Sequence, residues 1–134
     1  MKSILLVEDG KFLRLANERV LGKAGYKVVS VGDGNEALRV ARDIVPDLIL
    51  LDMMLPGLSG LDVLKALKND PITAAVPVVI LSGLSQTNEL KLKKDGAAAY
   101  FEKSKMELEA GSEPLLKLVR EVLAQTAPIA AVAE

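Results

Sequence analysis

Five side chains able to do chemistry stand behind short apolar runs: Glu8 and Asp9 behind residues 4–7, Asp52 behind 48–51, Ser82 behind 78–81, and Lys103 behind the weaker run 97–101. Runs that are apolar at every position suit strands buried on both faces, as a parallel sheet requires. Ligands of such a sheet bind beyond the carboxyl ends of its strands, so all five groups would meet along one edge. Singly, each has an ordinary explanation: an Asp or Ser past a strand caps the next turn, and a Lys is a solvated surface charge. Capping gives no reason for them to gather.

Three carboxylates brought together repel one another, so a cation must compensate them or their pKa values must rise. The chain has no His and no Cys, which leaves only oxygen ligands and therefore a hard cation. Mg²⁺ fits, with Mn²⁺ as a substitute, because it keeps several waters and leaves positions open to a phosphate. A carboxylate beside such an ion can attack phosphorus and form an aspartyl phosphate. The ion, the Lys ammonium and the Ser hydroxyl would then each hold one phosphoryl oxygen.

Composition removes the main competitors. Without His or Cys there is no zinc site of the nitrogen and sulfur kind, no Ser/His or Cys/His nucleophile pair, no disulfide and no redox CxxC. The 18 acidic and 17 basic side chains leave a net charge of −1, and only Phe12, Tyr26, Tyr100 and Phe101 are aromatic. Neither fact suits a nucleic-acid surface. The first apolar run is cut short by Glu8, and no run approaches the ~18 residues of a membrane span. The chain is expected to be cytoplasmic, with 134 residues forming one domain over residues 1–124 and an Ala-rich tail or linker start over 125–134.

Helical segments separate the runs. The first is expected to bury Phe12, Ala16, Val20 and Ala24 with Leu13 alongside, and to end at Gly25. The second would turn Ala37, Leu38, Ala41, Ile44 and Val45 inward before Pro46 stops it. A third begins at the N-cap Ser59 and carries Leu61, Leu64 and Leu67. A fourth spans residues 86–95 with few apolar side chains, and Gly96 closes it. The last is marked by Ser112, Pro114, Leu115, Leu116, Val119, Val122 and Leu123. Strand and helix thus alternate five times, predicting a three-layer α/β sandwich around a five-stranded parallel sheet.

Four stretches carry a family resemblance: Ile4-Leu5-Leu6-Val7-Glu8-Asp9; Pro46-Asp47 through Asp52-Met53-Met54-Leu55-Pro56-Gly57 to Gly60; Pro77-Val78-Val79-Ile80-Leu81-Ser82-Gly83; and Gly96-Ala97 through Tyr100 to Lys103. In this order and spacing the chain resembles the receiver domain of bacterial two-component response regulators, in a stand-alone form. The resemblance implies a doubly wound, flavodoxin-like sheet of strand order 2-1-3-4-5. It implies Asp52 as acceptor of a phosphoryl group from a partner's phosphohistidine, and Mg²⁺ held by Glu8, Asp9, Asp52 and the main-chain carbonyl of Met54. It gives Lys103 a contact to the phosphoryl group and makes Ser82 and Tyr100 the switch pair. The implied partners are a sensor histidine kinase or phosphotransfer protein and a downstream protein target, with neither nucleic acid nor membrane bound directly. No separate substrate turnover is expected.

The family usually has Pro after the Lys, where this chain has Ser104, and residues 104–111 make a longer link than usual. A remodelled loop with a short helical turn near 105–109 is expected. Met54 and Leu84, two residues past Asp52 and Ser82, are apolar where the path of an attacking water runs, which predicts slow loss of the phosphoryl group. A pseudo-receiver that binds partners without phosphorylation is the alternative, although its usual mark, loss of acidic residues, is absent. A phosphatase of the haloacid-dehalogenase kind would want a second Asp where Met54 stands. A flavodoxin-like nucleotide binder would want a Gly/Ser/Thr-rich loop where Glu8-Asp9-Gly10-Lys11 stands.

Overall fold

The computed structural model describes residues 1–82, 94–102 and 113–126. Along them run β1 (Ser3–Val7), α1 (Lys11–Lys23), β2 (Lys27–Val31), α2 (Gly34–Ile44), β3 (Leu48–Asp52), α3 (Gly60–Asn69), β4 (Val78–Ser82), β5 (Ala99–Glu102) and α4 (Glu113–Thr126). The five strands form one parallel sheet in the order β2-β1-β3-β4-β5, the expected flavodoxin-like winding. Every residue of β3 and β4 is buried, which is why those runs carry no polar alternation.

Successive strand residues feed opposite cores. Leu5, Val7, Ile49, Leu51, Val78 and Ile80 meet Ala37 and Ala41 of α2 and Val63, Leu64 and Leu67 of α3. Ile4, Leu6, Leu48, Leu50, Val79 and Leu81 meet Leu21 of α1 and Leu115, Val119, Val122 and Leu123 of α4. The helix starts follow their caps. Asp33 accepts from Glu36 N at 2.8 Å and Ser59 Oγ from Asp62 N at 3.2 Å, each satisfying one of the donors a helix start leaves open. Lys68 closes the far end of α3, donating through Nζ to the carbonyls of Ala74 (3.1 Å) and Val76 (2.7 Å). Burial lowers the pKa of that ammonium. No helix among the described residues is long and apolar enough to cross a membrane.

Three sequence expectations need correction. In α1 the buried residues are Asn17 and Leu21, with Leu13 and Val20 half-buried, while Phe12 is 90% exposed and Ala16 and Ala24 are also outside. The buried stripe departs from the four-residue steps of apolar residues because a polar residue, Asn17, occupies its middle. In α2 the helix stops at Ile44, and Val45 takes a left-handed conformation (φ 42°), so both side chains stay largely exposed. The last helix continues through Gln125 and Thr126, which composition assigned to the tail. The predicted helix at 86–95 lies outside the described residues up to 93; Gly96 does adopt a positive φ of 113°.

Two substitutions test this packing. Nδ2 of the buried Asn17 has no hydrogen-bond partner among the described residues, and an orphaned buried donor costs about 1–3 kcal/mol. Asn17→Leu, which keeps the branching at Cγ and removes the orphaned donor, is expected to raise the unfolding free energy by about 1 kcal/mol in urea denaturation. Gly60 starts α3 against the end of β3, where a Cβ would stand 2.5 Å from the Asp52 carbonyl oxygen and 2.6 Å from Met53 Cα. Backbone atoms on that side cannot swing away, so Gly60→Ala is expected to lower stability by about 3 kcal/mol in the same assay.

Candidate functional site

The register of the sheet levels the site. Val7 of β1 pairs with Leu51 of β3, so Glu8 and Asp52, each one residue further on, end side by side. Glu8 extends the ladder on its other flank, its N–H donating to the Val31 carbonyl at 3.1 Å. These two carboxylates are buried, with 2% and 1% exposure, while Asp9 lies exposed at the rim. One carboxylate oxygen from each of Glu8, Asp9 and Asp52 lies within 4.8 Å of the others.

Unit charges about 4 Å apart repel by about 1 kcal/mol in bulk water and by about 4 kcal/mol near a protein surface. Part of that cost is offset locally. Gly10 N donates to Glu8 Oε2 and Met54 N to Asp52 Oδ1, each at 3.1 Å. Both acids of the first pair also precede the N-terminus of α1, whose first turn holds no acidic residue, so the positive end of the helix dipole faces them. The donor set is oxygen only, close-set and partly buried, which fits a hard divalent cation.

The loop after β3 is held by main-chain bonds. Met53 N donates to the Leu81 carbonyl at 2.9 Å and Gly60 N to the Met53 carbonyl at 3.0 Å. Together with the close seat of Gly60, these fix the backbone that leaves Asp52. The Met54 side chain is 65% exposed at the lip. Asp52 pairs with Leu81, so Ser82, the buried last residue of β4, ends one step beyond it on the neighbouring strand. Ser82 in turn pairs with Glu102 of β5. Tyr100 pairs with Ile80, two residues before Ser82, and packs half-buried on the core beneath α2 and α3.

The structure therefore brings Glu8, Asp9, Asp52 and Ser82 to one edge, with Tyr100 further back along β5. Lys103, Ser104, the loop to residue 111 and Leu84 lie outside the described residues. Two contributors are not among the residues the sequence singles out for chemistry. Gly60 matters through its distance to Asp52, and Arg14, half-buried in α1, donates to the Glu8 carbonyl at 3.0 Å. Arg14 flanks the stripe of Leu13, Asn17 and Leu21, so a correct reading of that stripe would have turned it toward the site.

Known proteins agree with this architecture. The chain is 35% identical over 103 residues to the polar-differentiation response regulator DivK of Brucella anthropi, covering 76% of this chain and 84% of DivK. The chemotaxis response regulator CheY4 of Vibrio cholerae superposes with a TM-score of 0.82 at 28% identity, covering 91% of this chain and 98% of CheY4. The receiver domain of the Francisella response regulator 1452 gives a TM-score of 0.83 at 27% identity, covering 94% and 99%. The response regulator receiver domain model matches residues 4–110. With the strand order, the levelled carboxylates and these likenesses together, the chain belongs to the response regulator receiver domain family.

Proposed function

We propose that the chain is a phosphorylatable receiver of a two-component system in the cytoplasm, with Asp52 as acceptor. The observation that carries this reading is the convergence of Glu8, Asp9 and Asp52 within 4.8 Å, an arrangement whose repulsion a bound cation relieves. Glu8, Asp9, Asp52 and the Met54 carbonyl would hold Mg²⁺ or Mn²⁺, which when bound supplies positive charge to the acceptor and to the phosphoryl oxygens.

The remaining steps belong to the chain's own groups. An Asp52 carboxylate oxygen attacks phosphorus as the bond to the donor's imidazole nitrogen breaks, and the imidazole leaves with that electron pair. With no His in the chain, the donor is another protein, a sensor kinase or phosphotransfer protein, or a small acyl phosphate. Lys103 takes one phosphoryl oxygen and Ser82 another, and the reorientation of Ser82 is followed by Tyr100. The changed face then meets a downstream protein. Such a step is a local electrostatic event that biases a two-state element.

Incubation with Mg²⁺ and acetyl phosphate, read by intact mass, is expected to give a single phosphoryl adduct that Asp52→Asn abolishes. Absence of any adduct would instead support a phosphorylation-independent interaction module. The apolar Met54 at the lip, with Leu84, leaves an incoming water without a polar guide. Met54→Asn is therefore expected to shorten the adduct's half-life about tenfold, equivalent to about 1.4 kcal/mol of barrier, and Leu84→Asn to act in the same direction. Half-lives unchanged in both variants would refute that role.

A further inference from the structure

We propose that Arg14 is a positioning residue for the acidic cluster, holding the peptide between Glu8 and Asp9 so that both carboxylates face Asp52. This rests on the metal-assisted reading above. Arg14 Nη1 donates to the Glu8 carbonyl oxygen at 3.0 Å. That carbonyl belongs to the one peptide group linking the two acids, so any rotation of it moves both side chains at once. Main-chain donors also restrain this turn, Glu8 N to the Val31 carbonyl and Gly10 N to Glu8 Oε2, both at 3.1 Å. Arg14 adds a charge-assisted bond from a helix that is itself anchored in the core through Leu21.

The seat of the guanidinium supports the same role. A Cβ on Gly32, in the turn after β2, would stand 3.0 Å from Arg14 Nη1. Gly32 is not among the glycines with positive φ, and a side chain there would press on the tip of the guanidinium and shift it. Arg14 forms no ion pair with a carboxylate among the described residues. Its charge lies beside the acidic turn and acts on the cluster as well.

These two actions have opposite signs for an incoming cation. As a bare charge, Arg14 would repel the ion, and its removal would tighten binding. As a positioning group, its removal would loosen binding, as loss of an outer partner of a metal ligand does. Mn²⁺ affinity of the full chain, read by electron paramagnetic resonance, separates them. Arg14→Met is expected to weaken Mn²⁺ binding about tenfold, with Arg14→Lys between it and the native chain. Gly32→Val, which keeps the charge and displaces the guanidinium, is expected to weaken binding in the same direction. Cooperative thermal unfolding without metal checks that each variant folds, and Gly32→Ala is the milder replacement where Gly32→Val does not. Native binding with unchanged or tighter binding in Arg14→Met and in the Gly32 variant would overturn the positioning role alone. A native chain that binds no Mn²⁺ would overturn the metal reading and this role with it.

Discussion

Mutual repulsion of Glu8, Asp9 and Asp52 is the constraint around which the rest of the molecule is arranged. Carboxylates on a flexible surface would relieve it by turning apart into water. Here two of them are the continuation of buried strands, with exposures of 2% and 1%, and the register of β1 against β3 fixes their spacing. Most of the groups that hold this configuration are backbone. Gly10 N and Met54 N meet the carboxylates, and the Met53, Gly60 and Leu81 peptides lock the turn below them. Local donors reduce the repulsion without removing it. A site built in this way remains ready for a cation.

The place of the site follows from the winding of the sheet. In the order β2-β1-β3-β4-β5, the chain runs outward in one direction from β1 to β2 and then crosses to β3. The crossovers on the two sides of that point leave from opposite faces, which opens a crevice at the carboxyl ends of β1 and β3. Glu8 and Asp9 end one of these strands and Asp52 the other. Two separate cores, beneath α2 and α3 on one face and α1 and α4 on the other, clamp the central strands from both sides. A one-residue slip of β3 would send Asp52 into one core and an apolar residue to the edge, so hydrophobic burial itself protects the register of the acids.

Much of this was legible in the sequence, because the strands are apolar at every position and each ends on a group that chemistry can use. The caps at Ser59 and the Val119, Val122, Leu123 face of α4 were legible for the same reason: local residue types decide them. What escaped depends on neighbours distant in the chain. Gly60 looks like a turn residue until Asp52 O stands 2.5 Å from its missing Cβ. Gly32 looks like another until the Arg14 guanidinium is found against it. Val45, a β-branched residue at φ 42°, contradicts its own preference, because the Pro after it forbids another helical residue.

The misread face of α1 ties several of these details together. Successive helix residues are turned by about 100°, so a buried stripe centred on Leu13, Asn17 and Leu21 leaves Arg14 about 60° from its middle and Phe12 about 140° away. Had the helix buried Phe12, Ala16 and Val20 instead, Arg14 would have pointed outward, far from the Glu8 carbonyl. One rotation of the helix thus decides three things at once. It puts Arg14 against the acidic turn, it exposes Phe12 to 90% and Leu15 to 51%, and it drives the Asn17 amide into a place where Nδ2 has no partner among the described residues. The observed face buries Leu21 with Asn17 and brings Arg14 to the Glu8 carbonyl. A polar residue in the core and a phenylalanine in solvent are therefore two consequences of one packing choice, and that choice places the arginine.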